Sequence, residues 1–287
     1  MILHRGFRAM GTRIEILLDA PAATDAEAVF SAAEAEFARL EGLLSRFLPD
    51  SELSRLNRDG AIGAGPDLAA VVCRALEARE RTGGRFDPTV HDALLGAGYD
   101  RTFAQMPGEL GRPVESARCA GGVHVDAAGR IELDPGVRLD LGGIGKSYAA
   151  EAACAIVAQL GPALVDAGGD IATRGGAWPV GVDTADGSLT LLVENGGLAT
   201  SGIDRRRWLA AGEEAHHLID PASGRPAAGD LVRVTVVARD AVEAEIHAKA
   251  LFLAGAVRAA AEADANGLPC VLVTRGGQTV LAGGIAA

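Results

Sequence analysis

Gly145-Lys146-Ser147 stands where an alternating segment, Val137-Arg138-Leu139-Asp140-Leu141, gives way to Gly142-Gly143-Ile144 and then to a helical pattern through Gln159. A lysine after glycine at such a turn suggests phosphate binding. A P-loop, however, needs another glycine five positions before Gly145, and that position holds Asp140. A carboxylate there opposes a phosphate, which excludes that loop. What is left is a glycine turn at a helix start, whose backbone N–H groups suit a small anion. On an alternating strand Arg138 and Asp140 share one face, and Val137, Leu139 and Leu141 share the other. Asp140 is then either a ligand-loop residue near the strand end or a support for the turn.

A second candidate lies on a long Ala-rich helix expected over roughly 241–264. At about 100° per residue, Val242, Ile246, Leu253 and Val257 fall within about 60° of one another. Lys249 falls about 20° from Val242, and Glu245 flanks the same stripe. Glu245 and Lys249 are spaced i,i+4 in the favourable order, worth ~0.3–0.5 kcal/mol when solvated. A solvated pair belongs opposite the apolar stripe, whereas this one borders it. Lysine is almost never buried unless it is paired or serving a site. Three other segments have the turn-plus-polar character of ligand loops: Arg85-Phe86-Asp87-Pro88, Ala199-Thr200-Ser201-Gly202-Ile203 and His216-His217-Leu218-Ile219-Asp220-Pro221. A histidine there is by default a turn residue, and as a general base it is one of only six. There is no GxSxG elbow and no HExxH pair, so the common hydrolase signatures are missing.

The elements that would position these residues emerge from periodicity. Arg13 to Leu18 alternates as an opening strand, and Thr24 with Glu27 makes a capping box for a helix reaching about Phe47. Pro66 opens a second helix that Gly83-Gly84 stops. From about 100 to 122 the pattern is weak and rich in Pro and Gly, a surface excursion between a helix-rich first half and a β-rich second half of one domain spanning 1–287. Val232 to Ala238 alternates as a strand, and a hairpin from Cys270 to Leu281 turns at Gly276-Gly277. Early helices and late meandering strands give an α+β fold with at least one largely antiparallel sheet.

Composition narrows the partners. The 287 residues carry 27 Lys plus Arg against 38 Asp plus Glu, a net charge of -11, which disfavours nucleic acid and anionic membrane surfaces. Glycine reaches 38 residues, about 13% against a usual ~7%, as many tight turns in a packed fold require. The four cysteines form no CxxC pair and read as small buried hydrophobes. No apolar run has the length of a membrane span or a signal peptide, which places the chain in the cytoplasm as an expectation.

Taken together and in this order, these segments resemble the ApbE family of FAD:protein FMN transferases. The resemblance rests on Phe7 to Thr12, Ser45 to Asn57, Gly84 to Asp87, Leu139 to Tyr148, Ala167 to Asp170, Ala199 to Gly202, His217 to Pro221 and Ala244 to Leu251. It implies an α+β fold of two interlocked lobes with mixed or antiparallel sheets and FAD in the cleft between them. It implies cleavage of the FAD pyrophosphate, transfer of FMN to a threonine or serine hydroxyl of an acceptor protein, and release of AMP. Carried over by motif, Met10, Phe47, Arg85, Phe86, Asp87, Asp140, Lys146 and Ile219 would line the flavin nucleotide site, with Phe47 able to stack on the flavin ring. His217 would be the base on the acceptor hydroxyl.

The resemblance also implies a magnesium ion held by a backbone carbonyl corresponding to Gly143 and by an aspartate and a threonine on the late helix. Those two positions hold Glu245 and Lys249. Glutamate can bind magnesium, but protonated lysine has no lone pair to offer. Either the Lys249 ammonium takes the metal's place and acts in catalysis, or the chain binds FAD without efficient transfer. An FAD pyrophosphatase, in which water replaces the acceptor, is the further alternative.

Overall fold

The opening strand is longer than its alternation suggests. In the computed structural model, which describes residues 1–285, Thr12–Asp19 pairs antiparallel with Ile2–Ala9, register Ile2↔Asp19 to Ala9↔Thr12. Ile14, Ile16 and Leu18 fall on its inner face and are fully buried, the period-2 burial of a one-sided strand. The chain divides into two compact units, one from residues 1–39, 146–201 and 230 onward, the other from 40–145 and 202–229.

The first unit is built on an eight-stranded sheet in the order Ile2–Ala9, Thr12–Asp19, Ala163–Ala167, Asp170–Arg174, Gly197–Gly202, Leu231–Ala238, Cys270–Thr274 and Thr279–Ala282. The last two are the expected hairpin. A ribbon of Ala177–Asp183 and Ser188–Glu194 places Trp178, Val180, Val182 and Val193 in one apolar cluster with Leu164, Ile171, Leu198 and Val271. Helix Ala241–Ala254 packs on Leu231–Ala238 and Asp170–Arg174.

The expected 241–264 helix is in fact two, Ala241–Ala254 and Ala256–Asn266. Gly255 adopts φ 78°, which a side chain would resist, and the Asp230 carboxylate accepts from Ala256 N at 2.9 Å to start the second helix. The apolar stripe therefore does not continue: Val257 is 86% exposed while Val242 and Ile246 are fully buried. The first helix opens at Glu27, with Asp25 Oδ1 rather than Thr24 accepting from Glu27 N, and it ends at Leu44. Thr24 N instead donates to Pro21 O and closes a turn.

The second unit holds helices Glu52–Asp59, Pro66–Arg81 and His91–Gly96, with short sheets around them. Pro66 opens its helix as expected; the other two helices are too short to show a period. Its core joins Ala93, Leu94, Ala97, Cys119, Trp208, Ala210, Ala215 and Ile219, and Phe103, Met106, Leu110 and Val114 pack against it. Cys119, Cys154 and Cys270 are buried, and burial pushes their thiols up to about 11, 12 and 11. Among the described residues no helix is long and apolar enough to cross a membrane.

Val137 to Leu141 is not a strand. Its alternation is real, since Leu139 and Leu141 are buried, but its hydrogen bonds go elsewhere. The Asn57 carboxamide accepts from Leu139 N at 2.7 Å and donates to Leu139 O at 2.8 Å, doing locally what a neighbouring strand would do. Asp140 N donates to Pro88 O at 2.8 Å. Asn57→Ala leaves both Leu139 groups without these partners and is expected to destabilise the protein by about 2 kcal/mol, measured by urea denaturation.

Candidate functional site

In the first unit the polar groups gather at one end of the large sheet. The hairpin between its first two strands turns at Met10 and Gly11, both at positive φ (49° and 72°), the geometry of a two-residue primed turn. Because Ile14 faces Ala167, this turn lies beside Gly168-Gly169, where a Cβ on Gly168 would come within 2.2 Å of Thr12 Oγ1. That close approach, with φ 73° and 101°, is what the Gly-Gly pair allows before Asp170 begins the next strand. Asp170 faces Ala199 across the sheet, and Ser201 lies two residues further along that strand.

Two lysines and three acids meet there. Lys146, at the start of helix Gly145–Val157, pairs with Asp170 Oδ2, which Ser147 Oγ also reaches at 3.0 Å. On helix Ala241–Ala254, Lys249 Nζ lies 3.7 Å from Glu245 Oε1, and Ser201 Oγ donates to Glu245 Oε2 at 3.3 Å. Asp240 caps this helix by accepting from Glu243 N, and Glu151 accepts from Val242 N, both at 2.8 Å. Burial pushes the Glu245 carboxyl up to about 7, with the Asp170 charge adding to it; Lys249, Lys146 and the Ser201 hydrogen bond oppose the rise. Burial also raises Asp166, whose Oδ1 accepts from Gly169 N at 2.7 Å.

In the second unit a buried arginine organises the site. Arg46 Nε lies 2.6 Å from Asp140 Oδ2, and Nη2 donates to Tyr99 O at 2.7 Å. The guanidinium sits 4.2 Å from the Phe47 ring centre and 4.9 Å from that of Tyr99, within cation–π range of both. Tyr99 in turn contacts Trp208. The other Asp140 oxygen accepts from Gly142 N at 2.9 Å, and Ile144 N and Gly145 N both donate to Leu141 O, which shapes the turn around buried Gly143.

Arg85, Phe86 and Asp87 are brought together by the helix end that precedes them. Thr82 O accepts from Arg85 Nε at 3.1 Å and Thr82 Oγ1 from Phe86 N at 3.0 Å. Phe86 is buried, and Asp87 Oδ1 accepts from both Thr89 N and Thr89 Oγ1. His217 Nδ1 donates to Arg206 O at 3.4 Å, which puts its proton there and makes Nε2 the basic nitrogen. Its neighbour His216 is buried, donating from Nε2 to Ala227 O and accepting from Leu218 N at Nδ1. The Ile219 side chain belongs to the core cluster.

A divalent ion does not suit this donor set. Among the described residues no group of three or more His, Cys, Asp or Glu side chains is placed to hold a metal. A magnesium on Glu245 Oε1 at ~2.1 Å would lie no more than about 6 Å from the Lys249 ammonium as placed, and the two would repel by roughly 5–6 kcal/mol at an effective dielectric of about 20.

Sequence reasoning passed over Arg46, Tyr99, Trp208 and Asp170 as individual groups. Arg46 sits next to Phe47, yet nothing local links it to Asp140, 94 positions on (140 less 46). Asp170 closes the Gly168-Gly169-Asp170 run, a recognisable turn signal, but its pairing with Lys146 leaves no local trace.

A family model described as the ApbE family matches residues 10–272. A Salmonella typhimurium protein named FAD:protein FMN transferase is 30% identical over 260 residues, covering 82% of this chain and 74% of that protein. A Treponema pallidum protein of the same name is 31% identical over 281 residues, covering 85% and 75%. The crystal structure of the Thermotoga maritima ApbE protein covers 98% of this chain and 97% of that one with a TM-score of 0.84 at 24% identity. The apo form of Pseudomonas stutzeri flavinyl transferase ApbE gives 0.85 at 23% identity over 98% and 95%. At these identities the two structures establish the shared α+β fold.

His91 provides a pH test of the Arg46 neighbourhood. Burial lowers its imidazole below the usual range, and Arg46 and Arg138 add to this against a 2.8 Å hydrogen bond to Asp92 and the Asp140 charge. A lowered histidine means that protonation favours the unfolded chain, so stability is present above the unfolded value and is lost as pH falls through it. His91→Gln is expected to flatten the fall in melting temperature between about pH 7 and 5 relative to the parent.

Proposed function

Because the chain belongs to the ApbE family, we infer that it transfers FMN from FAD to an acceptor protein and releases AMP. The observation that carries this reading is the kinship with proteins named FAD:protein FMN transferase across most of the chain. The geometry supplies groups such a reaction uses.

Phosphoryl-type transfer asks for positioning and charge neutralisation more than covalent machinery. We assign the diphosphate to the end of the first unit where Lys146 and Lys249 stand on their carboxylates, with the Met10 turn and the Gly168-Gly169 turn beside them. We assign the isoalloxazine to Phe47, held in orientation by the Arg46 guanidinium, which also fixes Asp140 and with it the Gly142–Ile144 turn. Arg85, tied to the helix end through Thr82, and the loop folded around Asp87 belong to the same unit and support the nucleotide.

The acceptor, taken as a threonine or serine hydroxyl, gives its proton to His217 Nε2. Its oxygen bonds to the FMN phosphorus, the bond from that phosphorus to the bridging oxygen breaks, and AMP leaves with the electron pair. The products are a phosphodiester on the acceptor, AMP and one proton. No step is routed through magnesium, because the Lys249 charge occupies the neighbourhood of Glu245. That same charge favours one second reading, an FAD-binding protein that does not transfer.

Incubating the protein with FAD and a cell extract, then mapping peptides by mass spectrometry, separates the readings. FMN on a Thr or Ser peptide with matching AMP is the expected result; AMP without such a peptide makes the chain a pyrophosphatase, and bound FAD with neither makes it a carrier. His217→Ala is expected to lower transfer about 10²–10⁴-fold while the FAD dissociation constant stays unchanged. Arg46→Lys keeps the charge but loses the planar stack, and flavin-fluorescence titration is expected to show FAD binding weakened about 3- to 30-fold.

A further inference from the structure

We propose that the Lys249 ammonium is a built-in counter-charge for the FAD diphosphate, standing where a divalent metal would otherwise be needed, so that the transfer inferred above proceeds without one. The proposal rests on that functional reading and concerns how its charge is neutralised.

Three observations converge on it. Both oxygens of Glu245 are engaged, one 3.7 Å from Lys249 Nζ and the other accepting from Ser201, so the carboxylate is already committed to a cation and a hydroxyl. Asp170, whose charge bears on Glu245, is likewise taken by Lys146 and Ser147. The helix bearing Lys249 is anchored, with Val242 N and Glu243 N bound by Glu151 and Asp240 and most of its length buried. This fixes Lys249 one turn beyond Glu245, with its side chain 22% exposed against 8% for Glu245. The ammonium is therefore held from below by a buried carboxylate while still in reach of an anion.

The charge count agrees. Asp166, Asp170 and Glu245 against Lys146 and Lys249 leave one net negative charge when all are ionised, three less two. A neutral residue at 249 would leave two, and a neutral hydroxyl there would add a lone pair; both changes invite a divalent ion. With lysine in place, the positive charge travels with the fold. In the transfer step Lys249 forms no covalent bond and exchanges no proton. It offsets the negative charge that gathers on the AMP phosphate as the phosphorus–oxygen bond to it breaks and the bond to the acceptor oxygen forms.

The test uses the full chain, FAD and Mn2+ as a paramagnetic probe. FAD titrations of the parent are expected to give the same dissociation constant in EDTA and in millimolar Mg2+. The free-ion Mn2+ resonance should fall no further with protein and FAD than with FAD alone. Lys249→Thr combined with Glu245→Asp is expected to lose about 10- to 100-fold in FAD affinity in EDTA, to regain it with Mg2+ and to take up Mn2+. Lys249→Arg, which keeps the charge, is expected to bind FAD in EDTA as the parent does. Stoichiometric Mn2+ uptake by the parent with FAD, or loss of FAD in EDTA, would overturn the proposal whether or not the variants fold. Failure of the transferase reading looks different: FAD held equally in EDTA and Mg2+, with no FMN on any extract protein.

Discussion

Taking the Glu245 carboxyl out of water is the constraint on which the first unit's polar end depends. Burial, with the Asp170 charge, raises it toward neutrality, and nearby positive charge together with the Ser201 hydrogen bond favours the ionised form. Lys249, four residues along the same helix, is the larger source, and Lys146 adds its own attraction while the Asp170 it pairs with repels. The surrounding structure is explicable as support for this arrangement. The Gly168-Gly169 turn, lying against Thr12 of the Met10 hairpin, leads the chain into the strand that Asp170 begins, and Glu151 and Asp240 secure the start of the helix that carries both members of the pair. Remove Lys249 and Glu245 is left as a buried acid supported by the Ser201 hydrogen bond and the Lys146 charge.

The second unit solves a comparable problem with a different cation. Arg46 has a planar, permanently charged head that can face Asp140 with an edge while its faces lie on aromatic rings, which a lysine cannot do. One side chain thereby couples the orientation of Phe47 to the position of Asp140, and Asp140 in turn holds Gly142. His91 experiences the same surroundings, and its lowered basicity reflects how dry they are.

The range of each interaction decides whether it is legible in the sequence. The Thr12–Asp19 strand, the Pro66–Arg81 helix and the terminal hairpin were legible because their signals are local: alternation, a first-turn proline, a glycine turn. Val137 to Leu141 misled because alternation reports burial and not pairing; the partner turned out to be the Asn57 side chain, 82 residues back from Leu139. The break at Gly255 was hidden because a single glycine in an Ala-rich run reads as a weak spot until Asp230 is seen to cap the helix beginning at Ala256. The Glu245–Lys249 pair was legible from spacing and from its unexpected place beside apolar residues. Its link to Ser201, and the Lys146–Asp170 pair, join segments that only the sheet brings together.

Net charge and local charge carry different messages here. A chain of net charge -11 repels a distant polyanion, which disfavours nucleic acid as a partner. A diphosphate at contact distance responds to the nearest groups, because screening at physiological salt fades charges beyond about 8 Å. Lys146 and Lys249, each seated on a buried or nearly buried carboxylate, can present positive charge at short range while the surface stays acidic. The acids beneath them weaken that field but also fix it in place, so little reorganisation is needed when an anion's charge shifts from one phosphate to the next. An acidic protein can in this way favour one small anionic ligand while discouraging extended ones, and the selectivity comes from where the two lysines are held, not from how many there are.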